Sequence, residues 1–235
     1  MNLNSYKEYM TGENLMGPNS ARVLEELLAK HPVRLRSEDK VLDLGCGKGL
    51  TSYILARETG AKVYANDLWI PAEENAQRFR RWGAGDQIIP VHEDATELKF
   101  DKGQFSLLVS VDSYHYFATK KGFFEEKILP FLCDKAEVLI GIPGIREEYA
   151  GRSEELLPQW LGKEAHTFKS PAEWKEIIGG HDRMETVETW EMGCFDPAWN
   201  DWLATDNPFA QEDKRVFETI IKPYSCFVGI YIKLK

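Results

Sequence analysis

Short apolar runs that favour strands alternate along this chain with stretches in which apolar residues recur at helical spacing. The runs predict strands at Val41–Asp43, Lys62–Asn66, Gln87–Val91, Phe105–Val111, Ala136–Ile142, Glu185–Trp190 and Tyr224–Leu234. Between them, Asn19 or Ser20 caps a helix with Leu24, Leu27 and Leu28 on one face, and Leu50–Thr59 is a helix stopped by Gly60. Pro71 starts a further helix, with Ala72, Ala76 and Phe79 on one face before Gly83. Phe124, Ile128 and Phe131 mark another, and Ser170–Ile178 opens on Ser-Pro with a glutamate at the capping-box position. This alternation, without internal repeats, predicts an α/β protein with a doubly wound, mostly parallel seven-stranded sheet.

A chain of 235 residues suits one domain that buries most of its apolar surface, and 43% hydrophobic with 29% charged residues is an ordinary globular balance. The net charge of -9, without a lysine or arginine run, argues against a nucleic-acid partner. No run approaches the ~18 apolar residues of a membrane span, and the polar start MNLNSYKEYM has no secretory core, so a cytoplasmic protein is expected. Cys46, Cys133, Cys194 and Cys226 are scattered without metal-ligand spacing, so neither a metal site nor a disulfide framework is indicated. Two connections exceed the usual length, 143–169 and 191–223. They carry Trp160, His166, Trp199, Trp202 and Phe209, and are expected to cover the substrate side of the sheet.

The first strand runs through Asp43 into a turn with Gly45, Gly47 and Gly49, a loop whose backbone a ligand can approach closely. A dinucleotide fingerprint would require glycine at position 50, where this chain has leucine. The next three strands run into Asp67, Glu93-Asp94-Ala95 and Asp112, so four successive strands bring acids to one rim. Over about Asp39 to Ile142, VLDLGCGKGL and these acids make the chain resemble the class I S-adenosylmethionine-dependent methyltransferases, whose first motif looks like (V/L)LDxGxGxG. The resemblance implies a Rossmann-like fold with the last strand antiparallel.

S-adenosylmethionine is then the implied cofactor. Asp43 with Gly45, Cys46 and Gly47 is expected at its methionine end and Asp67 at its ribose. Leu68 or Trp69 should lie on the adenine, with Asp94 and Ala95 at its amino group and Ser110 completing the set. The segment 1–18 resembles an N-terminal lid, in which the Tyr9 ring would face the sulfonium. Asp112 and His115, in the cluster Asp112–Phe117, are the catalytic candidates. Histidine titrates near neutrality and could take an acceptor proton, while aspartate could hold a cationic amine or orient the imidazole. Val-Asp-Ser-Tyr at 111–114 departs from the Asn/Asp-Pro-Pro-Tyr motif of nucleic-acid and protein amide methyltransferases. A small-molecule N or O acceptor is therefore the expected class. The alternatives are a lipid acceptor, as in the similar cyclopropane fatty acid synthases, a non-catalytic S-adenosylmethionine-binding protein, and an NAD-dependent oxidoreductase.

Overall fold

The computed structural model describes all 235 residues. One sheet holds seven strands: β1 (Lys40–Leu44), β2 (Lys62–Asn66), β3 (Ile88–Val91), β4 (Phe105–Val111), β5 (Leu132–Ile145), β6 (Met184–Glu191) and β7 (Ser225–Leu234). Their order is β3-β2-β1-β4-β5-β7-β6. The first five pair in parallel, while β7 runs antiparallel to both β5 and β6. The order reverses between β1 and β4, which opens a crevice at the strands' carboxyl ends.

The helices are α1 (Ser20–Lys30), α2 (Leu50–Thr59), α3 (Ala72–Arg81), α4 (Ser153–Leu156), α5 (Pro158–Leu161), α6 (Pro171–Ile178), α7 (Phe195–Leu203), α8 (Pro208–Val216) and α9 (Lys222–Tyr224). None is long and apolar enough to cross a membrane. Because strand side chains alternate in direction, β4 sends Leu107, Val109 and Val111 into a core with α1, α2 and α7, and Leu108 into the opposite core with Trp174 of α6. The caps act as read from the sequence. Asn19 accepts from the Ala21 amide, Gly60 closes α2 in a left-handed conformation, and Ser170 forms a capping box with Glu173.

Two elements depart from expectation. The run Phe124–Phe131 forms one wide π-type turn (Phe124–Ile128) and one tight turn (Leu129–Phe131) instead of an α-helix. Pro130 supplies no backbone N–H to continue the ladder, and Leu132 turns extended (φ -90°, ψ 132°), which ends the spiral. β5 therefore starts at Leu132, four residues before the predicted Ala136, and continues through Pro143 to Ile145.

The first long connection holds α4, α5 and the tight turns Glu147–Tyr149 and Gly162–Thr167, and the second holds α7 to α9. They pack on one another, with Leu157, Ala165 and Phe168 against Ile220. Asp213 of α8 joins them by polar bonds, accepting from the indoles of Trp160 and Trp202 at 2.9 Å each.

α1 passes close over the middle of β5 at Gly141. A Cβ there would lie 2.3 Å from Val23 Cγ1, on a buried β-branched side chain that has little rotamer freedom in a helix. Gly141→Ala is expected to destabilise the fold by about 1–3 kcal/mol through overpacking, read as a lower urea midpoint.

Candidate active site

The crevice at the switch point holds a cavity of about 310 Å³, within the range of small-molecule sites. Its walls come from the loop after β1 (Gly45–Lys48), the ends of β2 (Asn66–Trp69), β3 (Glu93–Thr96) and β4 (Val111–Ser113), and residues of the N-terminal segment.

The three glycines of the loop all have positive φ but face different neighbours. A Cβ on Gly45 would overlap the Ser113 side chain, so the segment after β4 can seat only against a glycine there. A Cβ on Gly49 would lie 2.4 Å from the Phe79 ring of α3. Gly47 faces the cavity, where the nearest atom to a Cβ would be Met16 Sδ at 3.0 Å. The loop backbone is fixed from beneath by the Gly45 and Cys46 amides, which both donate to the Asn66 carbonyl (2.8 and 3.0 Å). From the side, Asn75 of α3 donates to the Gly47 carbonyl at 2.9 Å.

Asp67 sits where the sequence placed it, at the tip of β2 and on the cavity wall. One oxygen accepts from the Gly47 amide at 2.8 Å, and the other from the Trp69 and Ile70 amides at 2.8 and 2.9 Å. Asp94 also lines the cavity and accepts from the Thr96 amide and hydroxyl, which hold its carboxyl below the usual range. Ala95, Leu68 and Cys46 are wall residues as well. Burial pushes the Cys46 thiol well above its ordinary pKa, so it is a neutral small side chain and not a thiolate.

Asp112 begins the turn after β4, with φ 54°, and its amide donates to the Gly141 carbonyl at 2.8 Å. Its carboxylate lines the cavity and accepts no hydrogen bond from the protein. Burial, and then the negative charge of Asp213, push its pKa to about 7.

Four expected site residues lie elsewhere. Asp43 is fully buried beneath the loop, because β1 runs one residue further, to Leu44. One of its oxygens accepts from Thr51 and Ser52 at 2.7 and 2.6 Å, and the other has no partner. Ser110 is also fully buried and donates to the Leu44 carbonyl at 2.7 Å, tying β4 to β1. The Tyr9 ring packs against Tyr53 and Trp82 on the outer side of α2, with centroids 4.7 and 5.3 Å away. The N-terminal segment reaches the cavity instead through Asn14, Met16, Gly17, Pro18 and Ser20. His115 is 1% exposed and packed beside Tyr116 and Phe168, with Nδ1 unpartnered. Burial lowers its pKa to about 3, so it stays neutral and is too weak a base for an acceptor proton.

Asn75, Thr51, Ser52 and Met16 were not anticipated. The signal for the hydroxyl pair was its place in the first turn after the glycine loop, next to an acid in the preceding strand. Nothing in the sequence marks Asn75, which reaches the loop only through the packing of α3.

The profile of a methyltransferase domain matches residues 41–127. A rice (Oryza sativa subsp. japonica) protein described as a chloroplastic probable tocopherol O-methyltransferase is 35% identical over 109 residues. That match covers 45% of this chain and 30% of the relative, so the chain aligns with less than a third of the curated protein's length. Among solved structures, phosphoethanolamine N-methyltransferase 2 of Haemonchus contortus, in complex with S-adenosyl-L-methionine, superposes with a TM-score of 0.74 at 18% identity. It covers 96% of this chain and 55% of that one. Geranyl diphosphate C-methyltransferase of Streptomyces coelicolor A3(2), in complex with Mg2+, geranyl diphosphate and S-adenosyl-L-homocysteine, gives 0.69 at 18% identity, covering 91% and 78%. At these identities the structures establish a shared fold.

Burial raises the Asp43 pKa to about 6, against the opposing effect of the Ser52 and Thr51 hydroxyls. A carboxyl whose folded pKa lies above its unfolded value of about 3.9 contributes stability that is full below that value and falls as pH rises through the folded pKa. Ser52→Ala removes a donor to the ionised form and raises the folded pKa further. The variant is expected to lose about 1–3 kcal/mol. Urea titrations should show a larger loss at pH 8 than at pH 5, because only the ionised carboxylate needs both donors.

Proposed function

We propose, from the premise that this chain belongs to the class I S-adenosylmethionine-dependent methyltransferases, that it transfers a methyl group to a nitrogen or oxygen of a small molecule bound at the Asp112 end of the cavity. The observation that carries this reading is the continuity of the cavity, which joins the glycine loop and the acids of β2 and β3 to the turn after β4.

The residues present fit the cofactor. Gly47 leaves the loop face clear, and the Asp67 and Asp94 carboxylates lie at the tips of adjacent strands. In this assignment the loop from Gly45 to Gly47 holds the methionine end and Asp67 accepts the ribose hydroxyls. Leu68 and Trp69, which are 51% and 62% exposed, lie along the adenine, and Asp94 with the Ala95 backbone meets its amino group. Bound there, S-adenosylmethionine supplies a methyl group activated by a sulfonium. The protein's task is then to align an acceptor, exclude water and receive any proton the acceptor must lose. Of the two catalytic candidates, Asp112 reaches the cavity and His115 does not, so Asp112 holds or deprotonates the acceptor.

The segment 14–20 contributes Met16 and Gly17 to the cavity wall and acts as the N-terminal cover. The two long connections are joined through Asp213, whose negative charge bears on Asp112, but neither lends a residue to the cavity wall, which departs from the cover expected of them. A diphosphate acceptor, as named for the Streptomyces enzyme, suits this cavity poorly. Its single basic side chain is Lys48, whose ammonium donates to the Glu13 carbonyl.

Calorimetric titration with S-adenosylhomocysteine, with NAD as the control, tests the cofactor assignment. Micromolar binding of the former alone is expected, and binding of NAD alone or of neither would refute it. Asp67→Ala should weaken S-adenosylhomocysteine by about 1–3 kcal/mol, since it removes both a ribose acceptor and the anchor of the Gly47 amide.

A further inference from the structure

We infer that the acceptor is a primary or secondary amine that enters as an ammonium ion and carries an apolar, ring-sized body. The inference rests on the methyltransferase reading and narrows its acceptor to one chemical class.

The charge of the cavity supports the cationic head. Four carboxylates line it (Asp67, Glu93, Asp94 and Asp112), against the single lysine already engaged by a backbone carbonyl. Asp67 and Asp94 are satisfied by backbone amides and by Thr96, and Glu93 accepts from the Lys99 amide. Asp112 alone accepts nothing from the protein and has no salt-bridge partner. The negative charge of Asp213, which two indoles hold in place outside the cavity lining, adds to the burial that disfavours an ionised Asp112. A buried carboxylate with no hydrogen-bond donor and no cation is unfavourable when ionised, and an ammonium ion on Asp112 supplies both. A hydroxyl donor would supply one hydrogen bond but no charge, and a carboxylate would add repulsion.

The exposed surface supports the apolar body. Six large apolar side chains of the molecule are exposed, and four of them, Met16, Leu68, Trp69 and Tyr116, line this one cavity. The cofactor assignment uses Leu68 and Trp69. Met16, whose sulfur lies over Gly47, and Tyr116, whose ring is 5.4 Å from that of Trp69, remain. An acceptor with an aromatic or branched aliphatic body covers them while its nitrogen reaches Asp112.

The groups that set the charge at Asp112 are Asp213 from α8, the neutral Tyr116 on its own segment, and Glu164, which acts on Tyr116 from the first long connection. Deprotonation of Asp112, near a pKa of about 7, completes the ion pair while an alkylammonium remains charged. Amine affinity therefore rises between about pH 6 and pH 8.

The test titrates the preformed S-adenosylhomocysteine complex with 2-phenylethylamine, 2-phenylethanol, phenylacetate and methylamine. The expected result is that 2-phenylethylamine binds at least about tenfold more tightly than each of the others, with affinity rising from pH 6 to pH 8. Asp112→Asn keeps a residue type that tolerates positive φ, and its own S-adenosylhomocysteine titration reports whether it is folded. In that variant the preference for amine over alcohol and the pH dependence should both vanish. Asp112→Ser serves as a second uncharged variant. Equal or tighter binding of the alcohol or carboxylate, no binding of 2-phenylethylamine, or an unchanged preference in both folded variants would overturn the inference and leave the cofactor assignment standing. Failure of the wild-type protein to bind S-adenosylhomocysteine would instead refute the methyltransferase reading on which it rests.

Discussion

The bond from the Gly47 amide to the Asp67 carboxylate is the point on which the rest of the site depends. It joins the loop of the first βα unit to the strand tip of the second. The same carboxylate organises the turn of Trp69 and Ile70 with its other oxygen. The loop is thereby supported before any ligand arrives: by Asp67 at the rim, by the Asn66 carbonyl below and by Asn75 at the side. Beneath it, the buried Asp43 carboxylate holds the first turn of α2 through Thr51 and Ser52. A ligand hydroxyl at Asp67 shares an oxygen that already serves the backbone, so the site is preorganised at some cost in acceptor capacity.

The sheet was legible in the sequence because its strands are short apolar runs ended by acids or glycine, and six of the seven were placed within a residue or two of their ends. The glycine loop, its helix and Asp67 were legible for the same local reason. The failures were cases in which tertiary context decides. Asp43 differs from Asp67 only in lying one residue inside its strand, which turns a rim acid into a buried one. His115 sits in a cluster rich in functional side chains, yet its direction is fixed by Phe168, more than fifty residues later. Tyr9 belongs to an aromatic cluster with Tyr53 and Trp82, and no local pattern distinguishes that from a lid facing a ligand. Direction around a short turn is set by packing across the whole chain, and periodicity carries no record of it.

The two long connections have an architectural logic of their own. The first is built of short turns that could not persist alone, and it is held to the second, itself anchored in the main core by α7, through the apolar contact of Phe168 with Ile220 and the shared acceptor Asp213. The negative charge of Asp213, so held, also raises the pKa of Asp112, so one residue serves both the packing of the two connections and the electrostatics of the cavity.

β7 lies between β5 and β6 and is the sole sheet partner of β6. It supplies Phe227 and Tyr231 to one core and Val228, Ile230 and Ile232 to the other. During synthesis, therefore, the sheet can grow only as far as β5 while β6 waits without a neighbour. The ten-residue strand β7 must be inserted between these two, so this half of the sheet closes in one step rather than strand by strand.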